Sequence, residues 1–489
     1  MSPKTEARPS IAIVWFRRDL RLTDNPALRL ALAHHDRIVP LFIADFEAEL
    51  PWAPGAASRW WLHHSLARLD GALGTRGCPL LIREGESLAE LRRLIRETGA
   101  EAVYWNRLYE PAIVERDRII KAALREDGVA AHSQLAALWH EPWNLKTGGG
   151  APYRVFTPFW RKLAADLPPP QIEPPPTRIK GLAQKPSGLT LDALDLLPKL
   201  GWDAGFYPRW RPGEDGALHA LDRFMRGALG HYATGRDFPA QADTTQLSPH
   251  LHFGEISPQQ IRAAIVRRSA GIAKLEADGE QLMRELGWRE FAHHLLVHFP
   301  QTPDTPLQGK FADMPWRKPR DYAADLNAWQ DGRTGIPIVD AGMRELWTTG
   351  WMHNRVRMIN ASFLTKNLLI PWQEGARWFW DTLLDADLAN NTLGWQWTAG
   401  CGADAAPYFR IFNPALQAEK FDVDATYIRR WLPELAKLDA RAARMPWLAP
   451  AEQLARAGVE LGRNYPRPIV DLGASRKRAL AAYARIKSA

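Results

Sequence analysis

The chain has 489 residues, of which 46% are hydrophobic and 24% are charged, and its formal net charge is +8. This length exceeds what one hydrophobic core usually serves, so we expect two domains. The two cysteines, Cys78 and Cys401, are too few for a disulfide framework or a four-cysteine iron–sulfur cluster, and no metal site is predicted. The positive charge favours a polyanionic partner, although it also serves solubility.

The first residues, MSPKTEARPS, are polar, and the apolar run that follows them is only as long as a strand. A membrane-spanning helix needs about 20 apolar residues, and a signal peptide needs an apolar region flanked by a cleavage site. We therefore expect a cytoplasmic protein without a membrane partner.

Short β-rich runs alternate with helical ones in the first third of the chain. The β-rich runs lie at 11–17, 37–45, 79–85 and 102–106. This alternation predicts a parallel, doubly wound (Rossmann-like) sheet with right-handed crossovers. Asn25 followed by Pro26 predicts the start of the first helix. No GxGxxG fingerprint follows the first run, so an ordinary dinucleotide-binding fold is not indicated.

Pro- and Gly-rich sequence from 145 to 215 predicts a linker, and helical patterns dominate after it. Within this linker, residues 152–163 predict a short helix. The predicted organisation is an α/β domain at 1–144, the linker at 145–215, and an all-α domain at 216–489.

The stretch from 329 to 435 combines helical apolar spacing with many polar residues. A buried polar group costs stability unless it has a partner, and one candidate partner is a ligand. The polar residues in question are Asn354, Arg355, Arg357, Asp385, Asp387, Asn390 and Asn391.

Two further patterns could carry chemistry. The TTQLSPHL run at 244–251 offers amides and hydroxyls ahead of a helix, which suits either a pyrophosphate or a simple helix cap. Asp385 and Asp387 need a cation if both are ionised, and Arg357 is the candidate. An ordinary capping and salt-bridge cluster fits these residues equally well. Asn391, four residues beyond Asp387, should share its helical face.

Two pairs of aromatic or acidic residues have helical spacing that can be interpreted. Glu285 and Trp288 are three residues apart and should share one helix face, as plain packing would also produce. Trp395 and Trp397 are two residues apart and should point to nearly opposite sides. One of them could then face a pocket while the other faces the interior.

Five sequence runs together resemble one family. They lie at 15–25, 334–346, 349–358, 383–397 and 404–422. These runs, which include WFRRDLRLTDN, TGWMHNRVRM and DAAPYFRIFNP, resemble the photolyase/cryptochrome family, most closely its class I-type cyclobutane pyrimidine dimer photolyases. The resemblance implies a carbon–carbon lyase that repairs these dimers in damaged DNA by electron transfer from excited, reduced FAD.

The resemblance also implies which residues bind FAD. These are Tyr232, Thr244, Thr245, Gln246, Leu247, Ser248, Arg289, Trp351, Asn354, Arg357, Asp385, Asp387 and Asn391. Gln246 stands where many relatives have Arg, which should weaken one phosphate contact. A second, antenna chromophore is implied, either methenyltetrahydrofolate or a deazaflavin. Ala112 and Ile113 replace the Asn-Glu pair of well-studied folate binders, so its identity stays open.

The remaining implied roles concern the substrate and electron transfer. Catalytic roles fall to Glu285, Trp288, Asn391 and Trp397. DNA or dimer contacts fall to Arg236, Glu285, Trp288, Arg289, Asn354, Arg355, Trp397 and Gln417. Photoreduction would pass through Trp316, Trp372 and Trp395.

Three alternatives remain at this stage. A cryptochrome would signal without repair, but the sequence past residue 435 lacks the long low-complexity extension of many such proteins. A (6-4) photoproduct photolyase would use paired histidines near His353, where this chain has only one. A general nucleic-acid-binding protein would lack a flavin. We expect a monomer.

Overall fold

The computed structural model describes residues 9–408 and 410–487. Its N-terminal part alternates strands and helices. The strands are β1 (Ile11–Phe16), β2 (Arg37–Ala44), β3 (Leu81–Glu84), β4 (Ala102–Asn106) and β5 (Ala130–Gln134). The helices between them are α1 (Pro26–His34), α2 (Ala56–Gly74), α3 (Ser87–Thr98) and α4 (Pro111–Glu126). The Asn25 side chain accepts from Leu28 N at 3.1 Å, so the predicted helix start is confirmed.

The five strands form one parallel sheet in the order β3-β2-β1-β4-β5. Alternate residues of β1 enter different cores: Val14 packs with α1 and α2, whereas Trp15 packs with α3 and α4. Both faces of the sheet are therefore covered by helices, as parallel strands require. The predicted doubly wound architecture is confirmed.

Strand β5 is the one strand that sequence analysis did not predict. Its sequence AAHSQ lacks the β-branched run that marks the other strands, and it pairs only with β4 at the sheet edge. Edge strands need fewer apolar residues because one side of the ladder is open, so the sequence pattern is weak there.

The C-terminal part is helical. Its helices are α5 (Phe156–Asp166), α6 (Glu214–Arg226), α7 (Tyr232–Gly235), α8 (Ser248–His252), α9 (Pro258–Ser269), α10 (Ala273–His298), α11 (Pro319–Gln330), α12 (Pro337–Thr349), α13 (Asn354–Ser362), α14 (Trp372–Thr382), α15 (Leu388–Ala399), α16 (Pro414–Phe421), α17 (Thr426–Trp431), α18 (Ala440–Arg444), α19 (Ala451–Ala457) and α20 (Leu472–Lys487). A π-helical turn, Phe363–Asn367, follows α13 directly. Among the described residues, no helix is long and apolar enough to cross a membrane.

Helix α10 binds the connecting segment, which we define as residues 137–166, between the sheet and the helical part. Its Glu290 accepts from Trp139 N at 2.8 Å, and its Arg289 donates to the Ala137 carbonyl at 2.6 Å. His294 receives a hydrogen bond from Tyr153 N at 3.0 Å. Helix α5, the short helix expected within 152–163, shares a hydrophobic core with α10. Part of the predicted linker therefore belongs to the hydrophobic core of the helical part. The domain boundaries stay a prediction.

A fully buried carboxylate joins the two domains. Glu255 Oε1 accepts from Trp61 Nε1 on α2 at 3.0 Å and from Gly213 N at 2.7 Å. Its other oxygen pairs with His250 Nδ1. Because three partners converge on one acid with no exposed surface, the relative placement of α2 and α8 is fixed by charge-assisted hydrogen bonds.

The buried Glu290 predicts a pH-dependent stability. Burial raises the pKa of Glu290 from 4.5 to about 7, so the folded state holds this proton more tightly than the unfolded chain. Stability from this group is therefore fully present below pH 4.5 and falls as the pH rises through about 7. We expect Glu290→Gln to raise the melting temperature at pH 8 by about 2–3 °C, and to change it little near pH 5.

Thermal melts of the two proteins across that pH range check this expectation. Glu280, an exposed acid on the same helix, provides the control, because Glu280→Gln should leave the melting temperature nearly unchanged at every pH. Equal curves for Glu290→Gln and the unmodified protein would contradict the assignment.

Candidate active site

A cavity of about 430 Å³ opens between four helices of the C-terminal part, namely α10, α13, α14 and α15. Most of its charged lining comes from residues that the sequence singled out: Arg236, Glu285, Arg289, Arg357, Asp385 and Asp387. Trp288, Asn354, Asn391, Trp395 and Trp397 also line it. The apolar wall consists mainly of Met358, Ala361, Phe379, Leu383 and Leu393. A volume of this size with a few convergent polar groups is typical of a ligand site.

Glu285 and Trp288 form one wall of the cavity from the same face of α10, as their spacing predicts. The Glu285 carboxylate pairs with Arg236 and accepts from Gln281 Nε2 at 2.7 Å. The Trp288 indole stacks on Phe156 of α5, with ring centroids 3.7 Å apart and planes 10° apart. Because Phe156 covers one face of the indole, the other face is the one available to the cavity.

Helix α15 supplies the opposite wall. Trp397 lines the cavity, and so does Trp395, although Trp395 is 98% buried against Phe379 and Trp329. The two indoles are about 200° apart around the helix, and both border the cavity while Trp395 also packs in the interior.

Gly375 on α14 leaves the space that the Trp395 indole occupies. A Cβ atom there would lie 2.0 Å from the Trp395 ring, far inside van der Waals contact. Helix α14 therefore needs glycine at this position for the indole to lie flat between α14 and α15.

Asp385 and Asp387 have separate partners. Arg357 Nη2 donates to both oxygens of Asp385, at 3.0 and 2.8 Å. Asp387 Oδ2 instead lies 3.5 Å from His293 Nε2 and 3.7 Å from His252 Nδ1. Burial alone would raise the pKa of Asp387, but His293 and the neighbouring charges hold this pKa well below its usual range.

Sequence analysis did not identify His252 and His293 as parts of this site. His293 lies four residues after Arg289 and eight after Glu285, so helical spacing on α10 could have placed it on the cavity face. His252 lies on α8, far away in sequence, and only the packing of α8 against α15 brings it to Asp387. No local pattern could have found it.

Eleven predicted residues lie outside the cavity lining: Tyr232, Thr244, Thr245, Gln246, Leu247, Ser248, Trp316, Trp351, Arg355, Trp372 and Gln417. Thr244 to Leu247 precede the short helix α8, so the predicted helix start is present, but the run is not beside the cavity. Trp351 packs in the core that includes α2, and Arg355 pairs with Asp237 at 2.6 Å. The predicted roles of these residues stay predictions.

Trp316 and Trp372 lie together at a separate surface depression beside Pro371 and Phe311. Trp372 is nearly fully buried, whereas Trp316 is partly exposed. Of the three indoles, Trp395 borders the cavity, Trp372 is buried, and Trp316 is at the surface.

The cavity fits a flat heteroaromatic cofactor such as the isoalloxazine of FAD. Gly394 in the middle of α15 faces it, and a Cβ there would meet no atom within 4 Å. Glycine inside a helix costs about 1 kcal/mol relative to alanine, and no packing contact at this position requires it. Buried polar groups beside open volume, including Asp385, Asp387 and Thr398, are likewise what a polar-edged ring would satisfy.

Comparison with known families matches both parts of the chain. Residues 12–178 match the DNA photolyase domain, and residues 282–485 match the FAD binding domain of DNA photolyase. The deoxyribodipyrimidine photo-lyase of Agrobacterium fabrum is 49% identical over 97% of this chain and 98% of its own length. Cryptochrome-1 of Arabidopsis thaliana is 39% identical over 96% of this chain and 69% of its own length.

Solved structures resemble the whole chain. A class III photolyase from Agrobacterium tumefaciens is 48% identical, covers 100% of both chains and has a TM-score of 0.96. An archaeal photolyase from Sulfolobus tokodaii, described with two FAD molecules, is 30% identical and has a TM-score of 0.80 over 97% of this chain. The sequence runs resembled the class I type, whereas the Agrobacterium structure is described as class III. Motifs and near-complete alignments agree, and the chain belongs to the DNA photolyase/cryptochrome family.

Proposed function

We propose that this protein is a deoxyribodipyrimidine photo-lyase, which uses light to split cyclobutane pyrimidine dimers in DNA. The observation that carries the proposal is the arrangement of Glu285, Trp288 and Trp397 around one cavity that also borders the Arg357–Asp385 pair. Two indoles and a carboxylate can hold a flipped-out pyrimidine dimer, and the charged pair beside them can hold a flavin.

Bound FAD, in its reduced form, supplies the light absorption and the electron that opens the cyclobutane ring. The residues of the chain would bind and orient the cofactor and the dimer. The Arg357–Asp385 pair would fix one edge of the ring system, and Asn391 would present its amide beside it. Its amide nitrogen donates one hydrogen to the Ala376 carbonyl at 3.0 Å, so the second N–H and Oδ1 remain for a ring nitrogen whose proton changes with redox state.

A dimer inside a duplex must leave the helix to reach this cavity, as photolyases and other enzymes that act on bases require. Extrusion costs a few kcal/mol, and each base–aromatic stack returns roughly 1–3 kcal/mol. Trp288 and Trp397 can therefore offset it. Glu285, held by Arg236 and Gln281, would accept hydrogen bonds from the extruded bases. The net charge of +8 supports binding to the phosphate backbone.

The alternatives are less well supported. The (6-4) type expects histidine chemistry near position 353, but His353 is 98% buried, caps α13 and is absent from the cavity lining. A cryptochrome function is favoured by 39% identity to a plant cryptochrome, but the photo-lyase of Agrobacterium fabrum is 49% identical. Lesion-specific repair assays separate these alternatives from the proposal.

A second chromophore is expected from the family, and the archaeal photolyase from Sulfolobus tokodaii is described with two FAD molecules. Two small cavities of about 40 and 150 Å³ lie between the α/β part and the helical part, and their linings share Arg18, Glu49 and Trp380. Ala112 and Ile113 line the larger one. The identity of the chromophore stays open, and we propose that the enzyme is a cytoplasmic monomer.

Loss of Arg357 should weaken FAD binding. Arg357→Ala leaves the Asp385 carboxylate, whose side chain is 3% exposed, without its cation. Removing one partner of a buried pair costs about 3–5 kcal/mol, so we expect FAD to dissociate at least tenfold more readily. The ratio of flavin to protein absorbance, and titration of the apoprotein with FAD, measure this.

Arg377→Ala is the matched control, because that arginine lies on α14 with 60% of its side chain exposed and a partner 3.7 Å away. It should retain FAD normally, as surface pairs contribute little. Adding Asp385→Asn to Arg357→Ala should recover part of the binding. Unchanged FAD content in Arg357→Ala would refute the role of this pair.

Repair itself is tested with dimer-containing DNA under blue light, with the flavin fully reduced. We expect restored thymines in light and none in darkness.

Trp288→Ala should weaken dimer binding about tenfold to a hundredfold, because it removes one stacking wall. Trp347→Ala removes an exposed tryptophan outside the cavity and should bind dimers normally. Absence of repair by the reduced, FAD-loaded protein would exclude the proposed function.

A further inference from the structure

The carboxylate of Asp387 has different partners on its two oxygens. Oδ1 accepts from Asn390 N at 2.9 Å and from Asn390 Nδ2 at 2.7 Å, which caps helix α15. Oδ2 lies between two imidazoles, 3.5 Å from His293 Nε2 and 3.7 Å from His252 Nδ1. Both imidazole side chains are only 6% exposed, and neither has a role in the reaction described above.

The hydrogen bonds around His293 define where its protons lie. Its Nδ1 is 2.9 Å from the Arg289 carbonyl oxygen, which can only accept, so Nδ1 carries a proton. Its Nε2 faces the Asp387 carboxylate, which when ionised also only accepts. A proton on each ring nitrogen matches these two acceptors, and in that form His293 is an imidazolium paired with the carboxylate.

The other charges near this pair largely cancel. Arg18, from the N-terminal domain, is held by Glu110 at 2.7 Å, and both act on Asp387. On α10, Arg289 is close to Asp387, and Glu290 acts on His293. The Tyr109 ring packs edge-on against His293 at 6.1 Å, where it excludes water.

We propose that His293, supported by His252, is a positioning residue: its imidazolium keeps Asp387 ionised and oriented at the cavity wall, and the charge balance of this pair sets the reduction potential of the bound FAD. This inference rests on the FAD binding of the proposed function. Reduction adds electrons to the cofactor, so an uncompensated carboxylate beside the cavity would disfavour it, whereas an ion pair does not.

The test is the midpoint potential of the FAD-loaded protein, followed by flavin absorbance in a spectroelectrochemical cell. In His293→Gln the side chain can still donate a hydrogen bond but has no charge. We expect the ratio of reduced to oxidised FAD at a fixed potential to fall about tenfold, or about 30 mV for a two-electron couple. His293→Arg retains a permanent positive charge and should keep a potential close to the original.

A control on the same helix separates this pair from a general effect of substitution. His298→Gln is that control, because the His298 ring contacts Pro142 and His294 rather than Asp387. It should keep the original potential.

A double-mutant cycle tests whether His293 acts through Asp387. In an Asp387→Asn background, His293→Gln should cause no tenfold change, because the carboxylate that it compensates is gone. A full additional change there, or an unchanged potential in His293→Gln, overturns the proposal. If His293→Gln does not retain FAD, His252→Gln is measured in its place. A smaller fall in the midpoint potential of FAD supports the proposal, and an unchanged potential overturns it. A wild-type protein that binds no FAD would instead refute the proposed function.

Discussion

The Asp387 carboxylate determines where helix α15 begins, and the cavity depends on that start. One oxygen accepts from the third residue of the helix, a cap that typically contributes about 1 kcal/mol. Because an α-helix has a fixed period, this start sets the rotation of every later residue. Asn391, Trp395 and Trp397 consequently all line the cavity. Asp387, which caps the start of α15, therefore also lines the cavity.

Charge pairing explains how three carboxylates can surround one partly apolar cavity. Glu285 is paired with Arg236, Asp385 with Arg357, and Asp387 with two imidazoles. An unpaired buried charge would shift its pKa or destabilise the fold, whereas paired charges keep a polar wall that is close to neutral. A neutral, polar-edged cavity accepts a flat cofactor without a large cost in desolvation.

The site is a property of both domains and not of the helical half alone. The connecting segment bonds to α10 through Trp139, Ala137 and Tyr153, and α5 supplies the ring under Trp288. Glu255 locks α2 against α8, the helix that carries His252 towards Asp387. The α/β part therefore helps to position the helices that line the cavity.

By itself the sequence determined the two architectures and the Glu285–Trp288 face, because helical period and strand alternation are local properties. The Arg357–Asp385 pair spans 28 residues and was implied only by the family resemblance. The sequence did not reveal β5, whose edge position relaxes the apolar pattern. Only the tertiary structure decided that His252 and His293 meet at Asp387. Such meetings depend on how helices distant in sequence pack, and spacing along one helix carries no information about that.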